Sequence, residues 1–137
     1  MAATPNAFIS PQAIKTAAAV VTLAGTDVSD APTNTALLYK AGPNGARLTK
    51  VAATPRAAAT ASRLQLFRSL DAGVTKRWFK SVLMPAQSFA VTTVMASTDF
   101  GYSDINPLIL GPNEELHVSS AVAMTAGIVF DAEGGDF

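Results

Sequence analysis

Short apolar runs separated by clusters of Gly, Pro, Asn and Asp recur along the chain, and long stretches of 3.6-residue apolar period bounded by helix caps do not occur. The pattern predicts strands over residues 13–23, 35–40, 47–53, 61–70, 74–84, 88–95, 107–110, 115–123 and 126–133, each of a length suited to a sandwich. Alanine-rich pieces such as "KTAAAVV" and "PRAAATAS" have helical propensity, but the Thr, Val and Ser within them favour extended backbone. "AGPNGA" at 41–46 and "GPNE" at 111–114 place proline and then asparagine where a tight turn needs a fixed φ followed by a residue tolerant of the left-handed region. "LDAGV" at 70–74 offers Asp and Gly for a hairpin end. The expectation is an all-β fold, an antiparallel β-sandwich, jelly-roll-like, over 13–137, with its strand order left open. Residues 1–12, "MAATPNAFISPQ", set Phe8 and Ile9 between Pro5 and Pro11, and are expected to form an extended arm with an apolar anchor.

Composition narrows the function classes. The chain of 137 residues suits one domain that buries about two-thirds of its unfolded surface. Cysteine is absent, which excludes disulfides, thiolate metal sites and cysteine nucleophiles. "AIKTAAAVVTLAG" is too short to span a bilayer and contains Lys15, and no basic leader precedes it, so a soluble, unprocessed protein without a membrane partner is expected. Charged residues make up only 15% of the chain against 49% hydrophobic, a low share for a free monomer, so neighbours are expected to cover part of the surface. The formal net charge is zero, yet eight basic residues lie between Arg47 and Lys80 against the single acid Asp71. Two readings stay open: the segregated charge steers association with another surface, or adjacent strands bring the two halves together within one fold.

The lone histidine is the first candidate for chemistry. Alternation after "GPNE" places Leu116, Val118 and Val122 toward the core and Glu115, His117 and Ser119 toward solvent, with Pro112 and Asn113 turning a hairpin before them. If the last strand paired beside it, Asp131 and Glu133 would complete a one-histidine carboxylate metal site. A Ser-His-Asp arrangement lacks a nucleophile elbow, and no phosphate loop, zinc spacing or dinucleotide fingerprint is present. No catalytic residue, metal site or cofactor is therefore expected. "SLDAGVTKRW" at 69–78 resembles the Asp-box hairpin, a turn-stabilising device, with Ser69, Asp71 and Gly73 in place and the aromatic displaced to Trp78. Asp71 is expected to accept local backbone hydrogen bonds. Arg63, Arg68, Lys76, Arg77 and Lys80 with Phe67, Trp78 and Phe79 raise single-stranded nucleic acid as a rival, but basic and aromatic residues share strand parity and the pI is near 6.5, which disfavours it.

Three stretches carry a family resemblance: "NTALLYKAGPNGARLTKVAATPRA", "SRLQLFRSLDAGVTKRW" and the closing "LILGPNEELHV" with "AGIVFDAEGGDF". Over roughly residues 34–137 the chain resembles small virion structural proteins of tailed bacteriophages and prophages, among them capsid decoration, or cement, proteins. The resemblance implies a homo-oligomer, a trimer by analogy, made in the host cytoplasm and bound to the major capsid protein or another virion protein on the capsid surface. It implies no catalytic residue. Partner contacts are then expected from Phe8 and Ile9 in the arm, from Arg68, Lys76, Arg77, Trp78 and Lys80 in the basic hairpin, and from Phe100 and Tyr102 in the loop "ASTDFGYSDINP". Another virion component, in the tail, connector or head fibre, and a carbohydrate-binding β-sandwich module are the alternatives.

Overall fold

The computed structural model describes residues 13–137, and within them the apolar runs fold into nine strands with no helix: β1 (Ala13–Val21), β2 (Ala36–Lys40), β3 (Ala46–Pro55), β4 (Ser62–Ser69), β5 (Arg77–Met84), β6 (Thr98–Asp99), β7 (Leu108–Leu110), β8 (Glu115–Ser120) and β9 (Ile128–Asp136). Their pairing is nested: β1 with β9, β2 with β8, β3 with both β6 and β7, and β4 with β5, all antiparallel. Rolling such a ribbon brings β9 against β3 and β8 against β4, and both contacts are present. The result is two sheets, β1-β9-β3-β6 with β7 also on β3, and β2-β8-β4-β5, packed face to face. That connectivity is the jelly roll, one of the ways an all-β chain limits its exposed edges.

The proline turns do a different job from the one their sequence suggests. "GPNE" does not close a hairpin, because β7 pairs in one sheet and β8 in the other. Pro112 and Asn113, the latter at φ 58°, turn the chain across the sandwich. "AGPNGA" likewise carries β2 into β3 across the sheets, and the two arches tie together through Asn113 N–H to the Gly42 carbonyl (3.0 Å) and Ala41 N–H to the Glu114 carbonyl (2.9 Å). "LDAGV" does close the β4–β5 hairpin, as its sequence predicts.

Alternation supplies the core, with one interruption. Leu48 and Val51 both face inward although they are an odd three positions apart, because Thr49 is extra in the register against β9. Gly134 stands opposite Leu48, and a Cβ there would collide with the Arg47 carbonyl oxygen and lie 2.7 Å from Leu48 Cα. Only glycine fits that approach. Leu48, Val51, Ile128 and Phe130 from one sheet meet Leu64, Leu66, Leu116 and Val118 from the other. Burying each such side chain contributes about 1.5–3 kcal/mol, an upper estimate against an extended unfolded chain.

One strand expectation needs correction. Residues 88–95 do not pair as a strand; they form an exposed loop whose ends are clasped by Gln87, which accepts from Ala96 N–H (2.9 Å) and donates to the Ala96 carbonyl (3.1 Å). The place beside β3 is filled instead by the short β6 and β7. The charge halves, in turn, meet inside the fold. Lys50 of β3 stands 3.9 Å from Asp131 and 3.8 Å from Glu133 of β9, Arg68 is 3.7 Å from Glu114, and Arg77 is 2.7 Å from Asp30. Among the described residues this leaves Arg56, Arg63, Lys76 and Lys80 without an acid within ion-pair distance.

Candidate functional site

The turn of the β4–β5 hairpin is built by its own short side chains. Ala72 and Gly73 both take positive φ, 60° and 87°, as a tight turn matched to strand twist requires. Ser69 Oγ donates to Asp71 Oδ1 (2.9 Å) and accepts from Gly73 N–H (2.8 Å), while Asp71 Oδ1 also accepts from Thr75 N–H (2.8 Å). The Thr75 N–H is the main reason the Asp71 carboxyl lies below its ordinary range. The Asp-box-like spacing is thus a turn clasp.

Beyond the turn, β5 forms a belt of cations laid on aromatic rings. The register shifts between Leu66 and Phe67 opposite Lys80 and Trp78, so that Phe79 is bulged and the side chains on either side of it are re-aimed. Arg68 lies 4.6 Å from the Phe79 ring, Lys80 4.6 Å from the Tyr102 ring and Arg63 5.7 Å from the Trp78 ring. Each contact contributes about 0.5–1 kcal/mol at an exposed site. Burial pushes the Tyr102 hydroxyl above its ordinary pKa. Arg68 and Arg77 also meet Leu70, Thr75 and Glu114 in a cleft of about 450 Å³. Inside it Arg68 Nε and Glu114 Oε1 are buried without hydrogen-bond partners, and the 3.7 Å from Arg68 Nη1 to Glu114 Oε1 is an ion pair and not a hydrogen bond.

The expected contact residues divide. Arg68, Lys76, Arg77, Trp78, Lys80 and Tyr102 lie on or beside the hairpin, with Trp78 and Arg77 exposed and the others half-buried. Phe100 does not belong with them: it is 1% exposed, its N–H donates to the Val51 carbonyl (2.9 Å), and its ring stands 6.2 Å from that of Phe130. It is a core residue, brought inward as β6 docks on β3. Phe8 and Ile9 lie outside the described residues. Among the hydrophobic side chains that reach solvent are Leu83 at the end of β5 and Phe89, Val91 and Val94 on the clasped loop, all in segments whose pattern predicts strands. Thr92 and Thr93, which break the alternation between Val91 and Val94, are the local signal for a loop.

His117 is not on a wet face. All six residues of β8 are buried, with His117 itself 7% exposed. The connection from β1 to β2 crosses the outer side of this sheet, where Gly25 N–H donates to the Ser120 carbonyl (2.7 Å) and the Gly25 carbonyl accepts from Gln65 Nε2 (2.8 Å). Gln65 also donates to Ser119 Oγ (2.8 Å), so the covered polar layer is hydrogen-bonded within itself. His117 Nε2–H donates to Glu115 Oε1 (2.9 Å), and a Cβ on Gly73 would stand 3.5 Å from both groups, which puts the hairpin turn directly over the pair. Burial lowers the His117 pKa below its ordinary value, the Glu115 hydrogen bond opposes this, and the nearby Lys76 charge adds to the lowering. Asp131 and Glu133 are in the other sheet, paired with Lys50. Among the described residues no group of three or more His, Cys, Asp or Glu is placed to share a metal ion. Val122, expected in the core, is also exposed, on the rim of a second cleft of about 550 Å³ beside Met124 and Ile128.

Comparison with protein-family models, with curated proteins and with solved structures returned no match.

Proposed function

We propose that this protein is a bacteriophage virion structural protein, a capsid decoration protein that oligomerises and binds the lattice of the major capsid protein. The resemblance of residues 34–137 supplies the virion. The observation that carries a docking role is the inversion of burial: Gln65 with Ser119 and Glu115 with His117 are covered, hydrogen-bonded pairs, while Phe89, Val91 and Val94 are held in solvent on a loop closed by Gln87. Apolar side chains presented together in this way suit burial against a partner. On β5, exposed Leu83 stands opposite Arg63 and the cation–aromatic belt adds basic and aromatic side chains, residue types common at protein interfaces. Lys50, Arg68 and Arg77 are paired with acids inside the chain and the formal net charge is zero, which supports a protein partner over nucleic acid.

The test is co-sedimentation of the purified chain with capsids that lack it. The wild type is expected in the particle fraction, and a Phe89→Ser/Val91→Ser/Val94→Ser variant, altered only in exposed side chains, is expected to stay in the supernatant with an unchanged near-UV spectrum. Undiminished sedimentation of the variant removes the loop from the account. Retention on immobilised glycans, lost in Trp78→Ala, with no binding to capsids, would replace the account with the carbohydrate-binding one.

A further inference from the structure

Three of the four sheet edges carry a device that stops them pairing with another chain. Opposite β1, the first sheet ends in β6 and β7, of two and three residues, too short to template a ladder. In the second sheet β2 has five residues and an irregular register at Leu38, and β5 has its bulge at Phe79 with Arg77 and Lys80 beside it. β1 carries none of these. Its nine residues run in unbroken register against β9, from Ala13 opposite Asp136 to Val21 opposite Ile128. It contains no proline, and its single charge is turned inward: Lys15 Nζ donates to the Lys40 carbonyl (2.6 Å), lies 3.3 Å from Asp136 and sits 4.6 Å from the Tyr39 ring. Among the described residues no backbone hydrogen bond reaches β1 from the side away from β9.

We propose that β1 is a self-association edge, and that two copies of this chain pair antiparallel through Ala13–Val21 about a two-fold axis at Ala17. The side chains select this register. Ile14, Thr16, Ala18 and Val20 form the outward face of the strand, and Ile14 and Val20 are its large apolar members, 95% and 43% exposed. An axis at Ala17 sets Ile14 opposite the second copy's Val20 at both ends of the ladder, and the same axis overlaps all nine residues. The register with the longest ladder is therefore also the one that covers both exposed apolar side chains, as an isologous contact requires. Ala17, Ala18 and Ala19 leave the centre free of bulk, and Lys15 faces the second copy's Ala19 with no like charge opposite it. The two first sheets join into one continuous sheet across the axis.

This inference rests on the capsid reading's oligomer but makes it a two-fold dimer in place of the trimer expected by analogy, and it is measured separately from capsid binding. An edge contact of this length belongs to the small, weak class of interfaces, so sedimentation equilibrium should span about 5 to 500 µM. The wild-type chain is expected to approach twice its 14.1 kDa mass, and Ile14→Lys/Val20→Lys to weaken association by about tenfold or more while keeping its fold. Because the chain has no cysteine, register is read by crosslinking. Thr16→Cys chains mixed with Ala18→Cys chains should form disulfides with each other faster than either forms with itself, since residues directly opposite are about 4.5–5.5 Å apart and diagonal ones about 7–8 Å. A single-chain mass throughout the range, an oligomer indifferent to the lysines, or self-crosslinking as fast as mixed crosslinking each overturns the proposal. A dimer that appears only after residues 2–12 are deleted overturns it too, and assigns the edge to that segment. If the lysine variant still co-sediments with capsids, the capsid reading survives the loss of this contact.

Discussion

Replacing Phe100 with alanine separates a core residue from a contact residue. The side chain is 1% exposed, packs with Phe130 at 6.2 Å and is fixed at its backbone by Val51. Truncating a buried phenylalanine costs about 3–5 kcal/mol, part of it the transfer of the ring and part the cavity left behind. The lost aromatic pairing lies within that figure. A domain of this size has about 5–15 kcal/mol of stability, so Phe100→Ala is expected to remove about a fifth or more of it. With an m-value of about 2 kcal/mol/M in urea, a 4 kcal/mol loss moves the unfolding midpoint down by about 2 M. The assay is urea denaturation followed by Trp78 fluorescence at low micromolar concentration, where association adds little to the apparent stability. Phe100→Leu, which keeps most of the volume, should recover more than half of the loss. A shift below about 0.5 M in Phe100→Ala, together with weakened self-association or capsid binding, would refute the core assignment and return the residue to the interface.

The covered His117 makes a pH prediction. Its pKa is lowered on folding from 6.5, so between that value and the lower folded one the unfolded chain binds more protons, and stability rises with pH. Stability should fall as pH drops below 6.5, at no more than about 1.4 kcal/mol per pH unit from this one group, and His117→Gln should flatten the slope. An equal slope in both proteins between pH 6.5 and 5 contradicts the assignment. Gly134→Ala forces a Cβ into the β3 backbone at Arg47 and Leu48, and should cost about 1–3 kcal/mol or prevent folding; wild-type stability in this variant would mean the bulge at Thr49 is not as described. Lys50→Met leaves Asp131 and Glu133 without their cation on an exposed face, and a change beyond about 1 kcal/mol in thermal or urea unfolding would show that the pairs matter more than surface ion pairs usually do.

Much of the fold was legible because each strand carries its own local signal. In β9, Ile128, Phe130 and Ala132 alternate with Asp131 and Glu133, and the alternation survives into the sheet unchanged. Residues 88–95 show the limit of that signal: Val and Thr content marks extended backbone, but only a partner strand makes it a strand, and β6 and β7 occupy the place beside β3. The same limit hid the state of His117. Periodicity divides β8 into two faces and says nothing of what crosses the outer one, and the covering connection around Gly25 has no periodicity of its own. Phe100 was read as exposed because it lies in a polar loop, whereas two residues of β6 suffice to dock that loop on β3. The part of the hairpin clasp in which Asp71 accepts local backbone hydrogen bonds was legible, because it joins residues four positions apart, while the bonds of Ser69 Oγ and the positive φ of Ala72 appear only in the structure.

The most direct measurement of the functional account is the number of copies of this chain in a purified particle, counted by quantitative mass spectrometry against the major capsid protein. The account predicts hundreds of copies, in fixed proportion to the major capsid protein and bound to the outer shell. A handful of copies at a vertex or along a tail, or none, would contradict it.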